Sequence, residues 1–196
     1  MLKSNRELIE YIENQDIENI VLASFWAQFT DGREVPIKGA GQFPTYYSDS
    51  LIKSESRQDA KKVFKRNFDI TLDVLTKLNV HVCVFKQVPQ HLKWIPNQLA
   101  KFEKNGRNLD SIGRPLGEHA ERQNFVNSVF EGLSQNDHVT TLDPTTFLCQ
   151  PNSFCKGVSG GQALYRDYNH LSLYGLEYLK MMFEPMFKKP EEKSKY

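Results

Sequence analysis

Asp167 and His170 stand three residues apart in Leu164-Tyr165-Arg166-Asp167-Tyr168-Asn169-His170-Leu171-Ser172, just ahead of a helical pattern near the end of the chain. A carboxylate and an imidazole at that spacing supply two of the three parts of a Ser-His-Asp machine. His170 would take the nucleophile's proton, and Asp167 would hold the ring in one tautomer. One loop can present both, and the chemistry would be covalent acyl transfer through a serine. The competing reading is a capping or ion-paired Asp167 beside a surface histidine.

Other residues with chemical potential are fewer. Cys149 and Cys155 flank Gln150-Pro151-Asn152-Ser153-Phe154, a loop with turn chemistry. Too few ligands lie nearby for a metal site, which leaves a local disulfide or two free thiols. A bridge would place the chain in an oxidising compartment. Cys83 lies in the apolar run Val80-His81-Val82-Cys83-Val84-Phe85 and reads as core filler. His119 falls on a charged helix face and His138 at a strand start, which suits solvated or structural roles. Ser159-Gly160-Gly161 lacks the preceding strand and following lysine of a phosphate loop. Nothing points to a cofactor.

The elements that must position these residues follow from hydrophobic period. Ser4-x-x-Glu7 is a capping-box pattern before Leu8, Ile9 and Ile12. Glu18 to Trp26 reads as a buried strand. Thr30 to Ser54 has no clean period and reads as a long loop. From Ser56, Val63, Phe64, Phe68, Leu72, Leu75 and Leu78 mark an amphipathic helix, with Asn79 as a left-handed C-cap. Val80 to Val88 is a second strand, stopped by Pro89. A short helix near 98–104 precedes a helix over 117–133 and a third strand over 138–142. A last helix from Ser172 carries Leu176, Leu179, Phe183 and Met186 as a core stripe.

Strands alternating with helices, each strand a near-continuous apolar run, argue an α/β fold with a parallel sheet flanked by helices. Ligands in such folds sit at the carboxyl ends of strands. The unusual residues all fall there: Ser24 to Trp26, Pro89 to His91, Asp143, and the Asp167/His170 loop. Ser24, Trp26 and His91 are therefore candidates for lining a substrate groove, with Trp94 close behind. The chain has 196 residues, 39% hydrophobic and 25% charged, which suits one domain. Its formal net charge of +1 gives no reason to expect a nucleic-acid partner. No signal-peptide pattern follows Met1, no run reaches the ~18 apolar residues of a membrane span, and 190–196 reads as a disordered tail.

The string Tyr165-Arg166-Asp167-Tyr168-Asn169-His170-Leu171-Ser172-x-x-Gly175 resembles the last block of the SGNH (GDSL-like) hydrolase superfamily. More closely, it resembles the extracytoplasmic SGNH domain fused to bacterial membrane acyltransferases of the acyltransferase-3 family. Ile20-Val21-Leu22-Ala23-Ser24-Phe25-Trp26, Val84-Phe85-Lys86-Gln87-Val88-Pro89 and the Cys149/Cys155 pair are similar to features of that family, in the same order. The resemblance implies a flavodoxin-like SGNH fold in which Asp167 and His170 are catalytic. It also implies transfer of an O-acyl group, O-acetyl above all, to a cell-surface glycan. An acyl donor, a glycan acceptor and a membrane acyltransferase domain would be the partners, on the extracytoplasmic (periplasmic) face of the inner membrane.

The superfamily opens with a strand followed by Gly-Asp-Ser, whose serine is the nucleophile, and this chain contains no Gly-Asp-Ser. The expectation is a partial SGNH domain over 1–189, its N-terminal strand or strands and nucleophile lying upstream of Met1. The family's third-block asparagine, an oxyanion donor, is also missing after the first strand. Ser48-Asp49-Ser50-Leu51 is a lookalike without an apolar strand before it; if Ser50 were the nucleophile, the chain would be a complete small esterase. A non-catalytic remnant or interaction module is the other rival. A parallel sheet without its first strands would expose an apolar edge and self-associate.

Overall fold

The computed structural model describes residues 3–32, 46–150 and 153–187. Most of the loop expected over 30–54, and the tail expected over 190–196, lie outside the described residues. Helix α1 (Lys3–Asn14) leads into β1 (Asn19–Ala23) and α2 (Trp26–Asp31). After α3 (Arg57–Lys77) come β2 (His81–Phe85), α4 (Ile95–Lys104), β3 (Gly113–Pro115) and α5 (Leu116–Glu131). β4 (Val139–Leu142), α6 (Thr145–Leu148), β5 (Phe154–Lys156), β6 (Val158–Ser159) and β7 (Gln162–Ala163) follow, then α7 (Leu173–Leu179) and α8 (Glu184–Phe187).

The sheet is parallel, in the order β1-β2-β4, with Val21 opposite Cys83 and Cys83 opposite Thr140. Alternation along β2 divides the core in two. Val82 and Val84 face one cluster with Phe64, Phe68 and Leu72 of α3 and Val126 and Phe130 of α5. Cys83 faces the other, with Ile95 of α4, Leu142, Leu164, Tyr165 and Leu179 of α7. The expected α/β architecture of a parallel sheet flanked by helices is therefore present. The first cluster is aromatic: Trp26 meets Phe64, Phe68 and Phe130 edge-on at 6.1, 5.9 and 5.4 Å. Such pairs add about 0.5–1.5 kcal/mol each beyond burial.

The long helix forms as its pattern dictates. Ser56 caps it by accepting from the Asp59 N–H, and Asn79 follows it at φ +59°. Several expectations need correction. The first strand stops at Ala23, and Trp26 instead opens α2, its indole N–H donating to the Phe85 carbonyl at 2.8 Å. That bond turns the chain across the strand ends. β1 is an edge strand, not a buried one: Asn19, Val21 and Ala23 are exposed. Its main-chain groups facing away from β2 have no partner among the described residues. The last helix is short, giving way to a tighter turn at Lys180–Phe183, which leaves Leu176 exposed. His119 is buried, because it lies on the face of α5 that also buries Gln123, Val126 and Phe130.

A parallel edge with no partner among the described residues, and with Val21 42% exposed, is a template for further strand pairing. The 196-residue chain is expected to associate with rising concentration in sedimentation velocity, and Val21→Lys should shift it toward monomer. A wild-type chain that stays monomeric at all concentrations would contradict this.

Candidate active site

The Asp167/His170 segment is the tip of a hairpin. Ser172 N–H donates to the Leu164 carbonyl at 3.0 Å, and Arg166 N–H to the His170 carbonyl at 2.9 Å. Tyr165 and Leu171 form an antiparallel bridge between the two arms. Three residues remain between the last bonded pair, and Asp167 organises the turn. Its Oδ1 accepts from the N–H groups of Asn169 and His170, both at 2.8 Å. Its Oδ2 then lies 2.6 Å from His170 Nδ1. This is an Asx-type turn whose second oxygen is aimed at the ring. His170 is exposed, and its Nε2 has no hydrogen-bond partner among the described residues. The pair thus presents one ring nitrogen outward and anchors the other, the arrangement a general base requires.

Partial burial raises the Asp167 pKa, but the two backbone N–H bonds, the ring bond and the His170 charge outweigh it and hold the carboxyl below its ordinary value. Asp167 is therefore a carboxylate wherever His170 would act as a base.

The hairpin is fixed from three sides. The segment after β2 is bonded to it, His91 N–H to the Tyr168 carbonyl at 2.7 Å and Ile95 N–H to the Asp167 carbonyl at 3.0 Å. Ser172 caps α7 by accepting from Gly175 N–H at 3.0 Å. A Cβ at Gly175 would stand 2.0 Å from the Leu164 carbonyl oxygen, so only glycine lets α7 start against the hairpin arm. Below, Tyr165 is fully buried, with the His91 ring edge-on at 4.4 Å.

Behind the tip His91, Gln90, Arg114 and His119 form a buried polar group, and Gln87 and Gln123 are buried as well. Arg114 Nη1 donates to the Gln90 carbonyl at 2.5 Å and Nη2 to Glu118 at 3.3 Å. Burial, with Arg114 and His119 adding repulsion, pushes the His91 pKa down to about 3, so its ring is neutral. Both His91 ring nitrogens and both amide atoms of Gln123 lack partners among the described residues. Such atoms are rare in packed interiors and concentrate at functional sites. Arg114, Gln90 and Gln123 were not singled out by sequence. The available signal was polar residues at the core positions 119 and 123 of an otherwise apolar helical face.

The remaining candidates disperse. His91 is 1% exposed, so its side chain supports rather than lines an open groove, while Trp26, held in the aromatic core, also lines a cavity of about 250 Å³ with Tyr47, Asp49 and Asn67. Ser24 is exposed and hydrogen-bonded to Tyr47. Ser50 is exposed in irregular backbone tied to α3 through its neighbour. The Asp49 carboxylate pairs with Arg66, accepts from Asn67 at 2.7 Å and takes the Leu51 and Ile52 N–H groups at 2.9 Å each. No hydrogen bond joins Ser50 to His170. Cys149 and Cys155 are joined as a disulfide. Closing so short a loop contributes on the order of 2 kcal/mol through the unfolded chain. Cys155 also sits opposite Arg114 in the β3–β5 ladder, so the bridge steadies the strand that carries the guanidinium. No cluster of three or more metal-ligating side chains occurs among the described residues.

The family model described as "SGNH domain (fused to AT3 domains)" matches residues 2–185, and the chain belongs to that family. The solved periplasmic domain of a lipopolysaccharide acetyltransferase from Salmonella ser. Paratyphi A aligns with a TM-score of 0.60 at 13% identity. The alignment covers 94% of this chain and 62% of that one, so this chain spans about three fifths of the neighbour's length. At that identity the likeness shows a shared fold. A comparison with curated proteins gives no significant match.

The lowered Asp167 pKa carries a signed consequence. A carboxyl depressed on folding stabilises fully above its unfolded pKa of about 3.9 and loses that contribution as pH falls through its folded value. As the pH falls from about 5 through the folded value of the carboxyl, the stability gap between wild type and Asp167→Asn should narrow. Urea unfolding across that range measures it, and a gap that widens in acid would contradict the assignment.

Proposed function

We propose that this chain is the base-bearing part of an SGNH-type acyltransferase domain that moves an O-acyl group, O-acetyl above all, onto a cell-surface glycan. In this reading the nucleophilic serine comes from a segment outside the 196 residues. The observation that carries it is the 2.6 Å contact between Asp167 and His170 Nδ1, with Nε2 left outward. The edge of β1, which has no partner among the described residues, supports the second half of the reading. A further parallel strand added there would end at the carboxyl edge of the sheet, where ligands of such folds bind.

A serine Oγ attacks the donor's acyl carbonyl while His170 Nε2 takes the hydroxyl proton, and the imidazolium is stabilised by the Asp167 carboxylate. The leaving group departs with that proton, giving an acyl-serine. His170 then removes a proton from an acceptor hydroxyl, which attacks the acyl carbon. The ester product leaves and the serine recovers its proton. Water in place of the acceptor gives hydrolysis.

The family description places such domains beside acyltransferase-3 domains, which supports a membrane acyltransferase partner that delivers the donor. No described helix is long and apolar enough to cross a membrane, so that role would fall to the partner domain. The Cys149–Cys155 bridge suits an oxidising, extracytoplasmic setting, and the neighbour in the fold comparison is itself periplasmic.

The chain alone should hydrolyse p-nitrophenyl acetate no faster than His170→Ala. Turnover lost on Ser50→Ala would establish the complete small esterase instead. In a complete domain carrying the serine strand, His170→Ala should cut kcat by ~10⁴-fold, and Asp167→Asn by a similar order. A complete domain with no turnover to lose would mark the pair as a non-catalytic remnant.

A further inference from the structure

We propose that Trp94 is the platform on which the acceptor's pyranose ring stacks beside His170; the inference rests on the acyl-transfer reading of that site. Trp94 belongs to neither the core nor its helix. Its side chain is 55% exposed, as is that of Leu92, although the flanking His91 and Ile95 are 1% and 0% exposed. Looseness does not explain this. The segment is fastened at both ends, His91 N–H to Tyr168 and Ile95 N–H to the Asp167 carbonyl itself, so Leu92 and Trp94 are held outward by bonded neighbours.

Trp94 also occupies the N-cap position of α4 and provides no side-chain cap there. Residues with a side-chain oxygen serve that position far better. The indole N–H has no partner, and the ring meets no other aromatic among the described residues, unlike Trp26, whose N–H is bonded and whose ring is enclosed by three phenylalanines. A large amphipathic ring kept out of the core, free at both its face and its N–H, is equipped to bind a ligand with an apolar face and polar edges.

A sugar ring has that form. Its axial C–H groups are polarised and lie against a π face, while its hydroxyls project sideways toward water, Lys93 and Asn97, both exposed on the same segment. An acyl chain would require an enclosing apolar channel, whereas Trp94 stands at the surface. Because the Ile95 N–H is bonded to the Asp167 carbonyl, Trp94 is the sequence neighbour of a residue tied to the loop that carries the base. The platform would therefore select the acceptor and bring one hydroxyl toward His170 Nε2.

The chain has two tryptophans, so its two indole N–H signals report a buried and an exposed site separately. The full 196-residue chain, ¹⁵N-labelled, is titrated with methyl α-D-glucopyranoside, methyl α-D-galactopyranoside and methyl α-D-mannopyranoside, with 1,6-hexanediol as an apolar control. The Trp94 signal should shift saturably, in the millimolar range, with at least one pyranoside, while the Trp26 signal stays in place. Trp94→Ala should abolish pyranoside binding measured on the His170 ring signals, and Trp94→Phe should weaken it several-fold; an unchanged Trp26 signal certifies the fold of both. An unmoved Trp94 signal, an equal response to hexanediol, or full binding by Trp94→Ala would overturn the proposal. His170→Ala should leave the Trp94 response intact, so sugar binding without transfer in a complete domain would sink the acyl-transfer reading alone.

Discussion

Asp167 accepts three hydrogen bonds through two oxygens, and the local arrangement of the site depends on that one carboxylate. Oδ1 ties down the backbone of the turn, which leaves Oδ2 one direction in which to point, toward His170. A longer carboxylate would not close the same turn, and an amide would offer its second oxygen's place to a nitrogen. Hydrogen bonds to a charged acceptor are worth about 1.5–3 kcal/mol, roughly twice the neutral kind. Three of them are enough to overcome the burial that pushes the carboxyl the other way.

The rest of the fold keeps that turn where a ligand can reach it. β2 is the central strand and the segment leaving it is bonded to the hairpin at two carbonyls, so the sheet and the site share one rigid connection. Gly175 lets α7 close against the opposite arm. The disulfide and the β3–β5 ladder hold Arg114 beneath. Pair geometry is therefore decided locally, while its orientation is decided by elements from four distant parts of the chain.

Stability and function divide between the two faces of the sheet. The aromatic cluster of Trp26, Phe64, Phe68 and Phe130 packs without polar groups near its centre. The other side carries neutral His91, Gln90 and Arg114 under the site, an arrangement less stable than a well-filled apolar layer would be. The edge of β1, unpaired among the described residues, is a second such concession, since exposed strand edges invite association. Both concessions lie at the carboxyl end or free side of the sheet, where the acyl-transfer reading needs donors and a further strand.

Elements whose signal is local were legible in the sequence. The helix from Ser56 to Asn79 declared itself through caps and period, β2 through its apolar run, and the Asp-x-x-His turn through a spacing that the backbone itself enforces. β1 misled, because an apolar run looks the same whether one face or both are covered. Trp26 fills the core and also lines a cavity with Tyr47 and Asn67, a division that depends on what packs around a strand-end aromatic. His119 read as part of a charged helix face until the packing of α5 turned it inward, and Trp94 was separated from His91 only by which of the two side chains the bonded segment leaves exposed. The sequence by itself determined the turn, its two chemical groups and the parallel α/β plan, since these rest on contacts within a few residues or on periodicity. The tertiary structure decided burial, the polar layer and the exposed indole, since those depend on which distant surfaces meet.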